Sequence, residues 1–315
     1  MKYKMPRPLH KGDTIAVIAP CSAADKDKVK KGIEYLKNKG FIVKTAENLS
    51  EQSGYMAGSD EYRISSFNEF WADSEVKALF SIRGGYGVQR LLTEIDYNLI
   101  RKNPKIFVGY SDISALSSAI LAKSGVITFS GPMVASDMGE NFDNYSEDML
   151  WRMLMGQPTI DNPAEQPLVV YNNGSAEGYI FGGTLTVLLP YLGTSYVPDL
   201  EGAILVVEDV GENIGKLDRH FHQLRYQGVF DKISGLVLGE FSDCFDENVD
   251  PIEGLRSILD SALKGYEIPV IMNFAYGHIK KRVTLPIGSR AILTTDPPKI
   301  RLVNSVEIPI MVNIS

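Results

Sequence analysis

KIFVGYSDISALSSAILAKSG, residues 105–125, joins a strand pattern to a helix pattern with almost nothing between them. Ile106 to Val108 is a β-branched and aromatic run, which is typical of a buried strand. Apolar side chains then recur at helical spacing from Ile113, and Gly125 provides a stop. A strand that becomes a helix so quickly must bend sharply at the carboxyl edge of its sheet. The stretch therefore predicts a nucleophile elbow with Ser111 as the candidate nucleophile.

The same residues allow a simpler interpretation. Ser-Asp is also common at the start of a helix, so Ser111 could merely cap it. In addition, Ile113 stands where the G-x-S-x-G pattern of hydrolases has its second glycine. The stretch alone leaves both interpretations open.

The composition of the 315-residue chain is that of an ordinary folded protein, with 44% hydrophobic and 23% charged residues. Its net charge of −7 argues against a nucleic-acid partner or an anionic membrane, since the surfaces that bind them are usually basic. The two cysteines, Cys21 and Cys244, lie far apart without CxxC spacing, which indicates a reducing compartment and no disulfide. The N-terminus shows no signal-peptide pattern, and no apolar run could cross a bilayer. We therefore expect a cytoplasmic protein.

Strand and helix patterns alternate through the first half of the chain. Thr14 to Ala19 is a compact apolar strand, Lys26 to Lys39 is a helix with one apolar face, and Phe41 to Lys44 is the next strand. A strand at Val76 to Ile82, the elbow, and a last strand at Val126 to Phe129 continue the alternation. This order predicts an α/β fold that begins with a doubly wound, flavodoxin-like parallel sheet, with its site at the carboxyl ends of the strands.

The second half resumes regular structure after a polar region. Residues 136–174 are rich in Asn, Asp and Pro, contain one helix pattern at Ser146 to Met155, and predict linker and loop. Strand and helix patterns return at Ala176, and β-rich segments continue to Ile314. We therefore divide the chain into an N-terminal α/β domain (1–145), a linker and loop (146–175) and a C-terminal α/β domain with a β-rich core (176–315).

A serine nucleophile needs a base, and the chain has four histidines. His278 is the best placed of them, because it follows a strand-like run and a glycine, where a loop would present it. Glu208 follows a buried strand pattern and could orient the imidazole, although Asp209 or Glu212 could take that role. His220 and His222 lie on a predicted helix at a spacing that points them to different faces.

Glycines follow the strand before the elbow, in Arg83-Gly-Gly-Tyr-Gly87. Their unhindered amides, together with that of Asp112, could bind a developing oxyanion. The cluster could equally be a tight turn or an anion cradle, and it lacks the Lys-Ser/Thr of a P-loop. Cys21, in the first strand–helix loop, is another candidate nucleophile, but no motif supports it. On the residues alone, the pattern predicts a serine hydrolase.

Several segments together resemble the LD-carboxypeptidase family, serine peptidases that also include the microcin C immunity peptidases. They follow in the expected order over nearly the whole chain: Gly12-Asp-Thr-Ile-Ala-Val-Ile-Ala-Pro20, Arg83-Gly-Gly-Tyr-Gly87, Val108-Gly-Tyr-Ser-Asp-Ile113, Ile204-Leu-Val-Val-Glu-Asp209, Gly277-His278 and Thr284-Leu-Pro-Ile-Gly288. One departure is Thr184, where we expect asparagine in the family.

The resemblance implies a triad of Ser111, Glu208 and His278, with oxyanion donors from the amides of Gly85 and Asp112. It further implies a homodimer without metal or other cofactor, in which the N-terminal domain bears the serine and the C-terminal domain bears the acid and base. The implied reaction is release of the terminal D-alanine from a small peptide, the cytoplasmic murein tetrapeptide, in peptidoglycan recycling.

Other functions stay open. The immunity branch of the family implies cleavage of aminoacyl or peptidyl sulfamoyl-adenylates, for which Tyr145, Trp151 or Tyr171 could stack on the nucleobase. A non-catalytic binder of small peptides predicts triad members too far apart to hydrogen-bond. A metal-dependent peptidase is disfavoured, because the sequence has no HExxH or clustered His/Asp spacing.

Overall fold

The computed structural model describes residues 3–303, which form two large sheets, a small hairpin and the helices packed on them. The predicted β-rich segment up to Ile314 therefore lies in part outside the described residues. The strands are β1 (Thr14–Ile18), β2 (Ile42–Thr45), β3 (Gln52–Ser53), β4 (Met56–Ala57), β5 (Val76–Ser81), β6 (Ile106–Val108), β7 (Thr128–Ser130), β8 (Val169–Asn172), β9 (Ser175–Thr184), β10 (Ile204–Val210), β11 (Gly235–Ser242), β12 (Val270–Met272), β13 (Leu285–Ile287), β14 (Arg290–Thr295) and β15 (Pro298–Leu302). The α-helices are α1 (Lys26–Asn38), α2 (Asp60–Ala72), α3 (Tyr97–Lys102), α4 (Ile113–Ser124), α5 (Asn144–Leu154), α6 (Leu185–Leu188), α7 (Ile214–Tyr226), α8 (Val229–Lys232) and α9 (Pro251–Ala262).

The first sheet has the predicted doubly wound topology. Its parallel strands lie in the order β2-β1-β5-β6-β7, which is the flavodoxin-like order once the β3–β4 hairpin is set aside. The sixth strand, β13, lies among the β-rich segments that the sequence assigned to the second unit, but it pairs antiparallel with β7 of the first sheet. The carboxyl ends of β1, β5 and β6 therefore meet at one edge, beside the point where the strand order reverses.

Both faces of this sheet are buried, as the side chains of β1 demonstrate. Ile15 and Val17 pack into one hydrophobic core with helices α1 and α5, whereas Ala16 and Ile18 pack into a second core with α2 and α4. Successive side chains of a strand point to opposite faces, so an uninterrupted apolar run needs helices on both sides. The helices of the sequence prediction supply that cover.

The second sheet combines a parallel centre with antiparallel edges. Strands β9, β10, β11 and β12 run parallel, β8 is added antiparallel at one end, and β14 and β15 are added at the other. This agrees with the predicted second α/β unit with a β-rich core. The division of the chain at residues 145 and 176 stays a prediction.

Two further elements differ from the sequence prediction. The strand β8 lies within the segment expected to be linker and loop, because its short apolar run among Pro and Asn residues gave no clear strand period. The strand β10 continues to Val210, past the expected end at Val207, with a register irregularity between Val207 and Asp209. Glu208 therefore lies within a strand rather than after it, at a bulge that re-aims side chains.

Within residues 3–303, no helix is both long and apolar enough to cross a membrane.

Candidate active site

Ser111 lies in the sharp bend predicted between β6 and α4. Its φ of 64° is left-handed, a strained conformation for a residue with a Cβ atom. A Cβ at Gly109 would lie 2.8 Å from Ile113, so the close approach of strand and helix requires glycine there. The side chain of Asp112, the N-cap residue, makes no capping hydrogen bond to the helix. The turn therefore has the backbone of a nucleophile elbow.

The glycine loop after β5 packs directly against Ser111. A Cβ built on Gly84 would lie 2.7 Å from Ser111 Cβ, 2.9 Å from Ser111 Oγ and 3.4 Å from the amide nitrogen of Asp112. Gly85 has a φ of +110°, which favours glycine, and Ser22 Oγ occupies the place of its missing side chain. The loop is thus shaped to leave the serine hydroxyl open.

Two amides at this place have no partner inside the part of the chain from residue 3 to residue 303. Neither the N–H of Gly85 nor that of Asp112 donates a hydrogen bond there, whereas Tyr86 donates to Ser22 Oγ at 3.3 Å and Val88 donates to Asp112 Oδ2 at 3.1 Å. Unpaired N–H groups beside a nucleophile are what an oxyanion site requires.

Glu208 and His278 form the buried acid–imidazole pair of the site. His278 Nδ1 lies 2.8 Å from Glu208 Oε2, and the backbone N–H of His278 donates to the same oxygen at 3.2 Å. The other oxygen, Oε1, accepts the hydroxyl of Thr184 at 2.5 Å. Glu208 is 1% exposed, so both of its oxygens are satisfied away from water. These bonds fix the carboxylate and, through it, the ring of His278.

His278 reaches the elbow from across the boundary between the two sheets. Its ring lies edge-on to Tyr110, the residue before Ser111, with centroids 5.1 Å apart. The guanidinium of Arg282 lies 4.3 Å from the centroid of the same tyrosine and pairs with Asp137 at 2.5 Å. Ser111 Oγ makes no hydrogen bond to His278 within the described residues. The structure therefore brings His278 to the elbow without a hydrogen bond to Ser111, and catalytic hydrogen bonds are often absent or long in free enzymes.

The side chains beside the site titrate away from their ordinary ranges, chiefly because they are buried. Burial raises the pKa of Asp112 and raises that of Asp209 to about 6, although Thr186 and the Val210 amide donate to Asp209 and oppose the shift. Burial also raises the pKa of Tyr110 to about 12, so its hydroxyl stays neutral.

The other candidates from the sequence lie elsewhere or are held in other roles. Burial and the nearby Asp112 raise the pKa of Cys21 well above its usual value, which leaves a neutral, unreactive thiol. Asp209 accepts hydrogen bonds from Thr186, and Glu212 pairs with Lys216 at 2.9 Å, so neither contacts the imidazole. Among the described residues no group of three or more His, Cys, Asp or Glu side chains could hold a metal ion.

Two further residues of the site, Asp137 and Arg282, had no sequence signal, and Thr184 was marked only as a departure from the family pattern. All three act through contacts that join distant parts of the chain, and Arg282 follows two lysines in a run typical of a charged surface. Together with Tyr110 and His278, the Asp137–Arg282 pair lines a cavity of about 480 Å³ beside the site.

Comparison with known proteins finds one family over both halves of the chain. Residues 15–131 match the LD-carboxypeptidase N-terminal domain, and residues 177–293 match the LD-carboxypeptidase C-terminal domain. A probable murein peptide carboxypeptidase of Bacillus subtilis (strain 168) is 35% identical over 296 residues, which cover 94% of this chain and 92% of that protein.

Two further relatives represent different named activities. A solved muramoyltetrapeptide carboxypeptidase from Oxalobacter formigenes is 31% identical with a TM-score of 0.78, covering 92% of this chain and 97% of that one. The microcin C7 self-immunity protein MccF of Escherichia coli is 32% identical, covering 94% of both chains. Its structure in complex with aspartyl sulfamoyl adenosine has a TM-score of 0.84 at 29% identity and covers 95% of this chain and 98% of that one.

Proposed function

The chain belongs to the LD-carboxypeptidase family, and we propose that it releases the terminal D-alanine from murein tetrapeptides by serine catalysis. The observation that carries the proposal is the Glu208–His278 pair, which sits against the residue next to a left-handed serine. Two relatives named for murein peptides support the substrate class.

The proposed reaction begins with attack of Ser111 Oγ on the carbonyl carbon of the scissile bond. Nε2 of His278 takes the hydroxyl proton, while Nδ1–H donates to Glu208 and the carboxylate stabilises the imidazolium. The carbonyl oxygen becomes an oxyanion and accepts hydrogen bonds from the amides of Gly85 and Asp112. The imidazolium then gives its proton to the leaving nitrogen of D-alanine, which leaves an acyl-enzyme on Ser111.

Water completes the cycle by the same groups. His278 takes a proton from the water as it attacks the acyl carbon, and returns that proton to Ser111 Oγ as the ester breaks. The products are a shortened peptide with a new carboxylate and a free serine. His278 returns every proton that it takes, so these reaction steps need no cofactor.

We also propose that the protein is cytoplasmic and forms a homodimer, on grounds separate from the active site. Cys21 and Cys244 are both buried and unpaired, which suits the reducing compartment where recycled cell-wall peptides would be met. The dimer is what the family resemblance implies. Light scattering of the purified chain measures it directly.

A second candidate function follows from the similarity to MccF, a structure of which holds aspartyl sulfamoyl adenosine. The aromatic residues considered for stacking on a nucleobase have other contacts here. Trp151 is 9% exposed and stacks on Phe41 with centroids 5.0 Å apart, Tyr171 binds Asp260, and the Tyr145 hydroxyl binds the Asp161 carbonyl. We therefore rank cleavage of sulfamoyl-adenylates second.

The test compares substrates and one variant in parallel. The wild-type protein should release D-alanine from the tetrapeptide, and Ser111→Ala should lose that activity while keeping its circular dichroism and melting temperature. Undiminished turnover by the variant would remove Ser111 from the mechanism. Hydrolysis confined to an aspartyl sulfamoyl adenylate would instead establish the second function. Binding of the peptide without hydrolysis of either substrate would favour a non-catalytic binder.

A further inference from the structure

Arg83 stands at the carboxyl edge of the first sheet, two residues beyond the end of β5. It is exposed and makes no hydrogen bond or ion pair with any residue from 3 to 303. Two other arginines near the site, Arg63 and Arg282, already have partners. Arg63, with a fully buried side chain, binds Pro20 O at 2.6 Å, Gly87 O at 3.1 Å and the Asp60 carboxylate, and Arg282 pairs with Asp137. A free guanidinium is therefore available at this edge.

Two observations bring Arg83 into the neighbourhood of Ser111. Gly84, the next residue, approaches the Ser111 side chain closely enough that a Cβ there would overlap it. The charge of Arg83 also acts on Cys21, where it opposes the rise in pKa that burial and Asp112 produce, and Cys21 hydrogen-bonds to Asp112. Arg83 therefore directly precedes Gly84, which packs against Ser111. Its charge also acts on Cys21, which hydrogen-bonds to Asp112.

A carboxypeptidase must recognise one group that no internal peptide bond offers. The leaving residue carries a free carboxylate on the carbon atom next to the scissile nitrogen, so its charge lies close to the serine whenever the bond is in place. Arginine suits that group because its planar fork donates two parallel hydrogen bonds to a carboxylate.

From this arrangement we infer that Arg83 binds the terminal carboxylate of the substrate and so makes the enzyme a carboxypeptidase rather than an endopeptidase. The inference rests on the proposed function, and it specifies the subsite that selects the end of the chain. It also assigns the Arg83–Gly87 loop two tasks, since Gly85 would hold the oxyanion while Arg83 holds the carboxylate.

Lys280 is the competing cation, since it lines the cavity beside His278 and its ammonium has no partner among the described residues. Three carboxylates, those of Asp137, Glu140 and Asp143, line the same cavity. They make that side a poorer place for an anion than the surroundings of Arg83, whose guanidinium pairs with no acidic side chain between residues 3 and 303. Lys280 therefore serves as the matched control.

The experiment uses the full chain and two substrates, the tetrapeptide with its terminal carboxylate and the same peptide ending in D-alaninamide. We expect the wild type to prefer the acid by about 50-fold in kcat/KM, the size of one charge-assisted bidentate contact. Arg83→Gln should lose most of that factor on the acid, chiefly through KM, and leave the amide rate unchanged. Arg83→Lys should fall between them. Lys280→Gln should keep the wild-type preference.

The outcomes separate this inference from the proposed function. A wild type that cleaves the acid, with an acid-to-amide ratio unchanged in Arg83→Gln, would overturn the inference alone. If Lys280→Gln instead lost the preference for the acid over the amide, Lys280 would be the residue that binds the terminal carboxylate, and the inference would again be wrong. A wild type that releases neither D-alanine nor D-alaninamide would refute the proposed function, and the inference with it. Melting temperatures of the variants should match the wild type, since both side chains are exposed.

Discussion

Thr184→Val tests whether Glu208, the proposed catalytic carboxylate, depends on the residue that departs from the family pattern. The substitution keeps the shape of the side chain but removes the hydroxyl that donates to Glu208 Oε1 at 2.5 Å. No other group in residues 3–303 donates to that oxygen, and Glu208 is 1% exposed, so water cannot replace the bond. A buried charged acceptor left unpaired costs about 2 kcal/mol of folding free energy, within a usual range of roughly 1.5 to 3 kcal/mol.

The same substitution should slow the reaction, because a carboxylate free to rotate no longer holds the imidazole in place. If about 1.4 kcal/mol of the lost interaction is felt in the transition state, kcat falls about tenfold. Urea unfolding measures the stability, and a coupled assay of D-alanine release measures kcat. Thr184→Ser and Thr184→Asn both keep a donor and should retain more of each quantity. A valine variant with wild-type stability and kcat would refute the reasoning.

Three further outcomes follow from the geometry. Gly84→Ala should reduce kcat about 100-fold with the fold intact, because the new methyl group must displace Ser111 by roughly 1 Å; an active alanine variant would contradict that packing. Asp137→Asn should lower the free energy of unfolding by about 3 kcal/mol, because it leaves the Arg282 guanidinium buried without its counter-charge, and adding Arg282→Met should recover part of the loss in the same urea titration. Asp209 has a folded-state pKa of about 6, above its unfolded value, so it binds its proton more tightly when folded; the wild type should therefore gain about 1 kcal/mol of stability relative to Asp209→Asn as the pH falls from 7 to 5, and a constant difference would contradict this shift.

The elements of the elbow could be predicted from the sequence because their signals are local. The apolar run before Gly109 and the helical spacing after Ser111 each reflect a single element, and the parallel sheet follows from their alternation. The left-handed φ of Ser111 has no such signal, since serine rarely adopts it without surrounding structure that enforces it. A side chain at position 84 would overlap Ser111, but this need for glycine could not be predicted from a glycine cluster that also suits an ordinary turn.

The hydrogen bonds and ion pairs around the proposed triad could not be predicted, because they join residues far apart in sequence. Thr184 and Glu208 come together because β9 and β10 pair in register. Asp137 and Arg282 meet only once the last third of the chain has packed on the first, and β13 joins the first sheet for the same reason. The departure at Thr184 was recognised as a difference near the site, but its role as a donor to Glu208 required the structure.

The most direct test of the triad is covalent labelling of the intact protein by a serine-directed phosphonate, read by peptide mass spectrometry. The proposed triad predicts one adduct, on Ser111, formed rapidly by the wild type, absent in Ser111→Ala and strongly slowed in His278→Ala; Ser111→Ala should keep the wild-type melting temperature, and His278→Ala should stay folded by circular dichroism although Glu208 loses a partner. An adduct on a different residue, or one that forms on Ser111 at the same rate without His278, would contradict it.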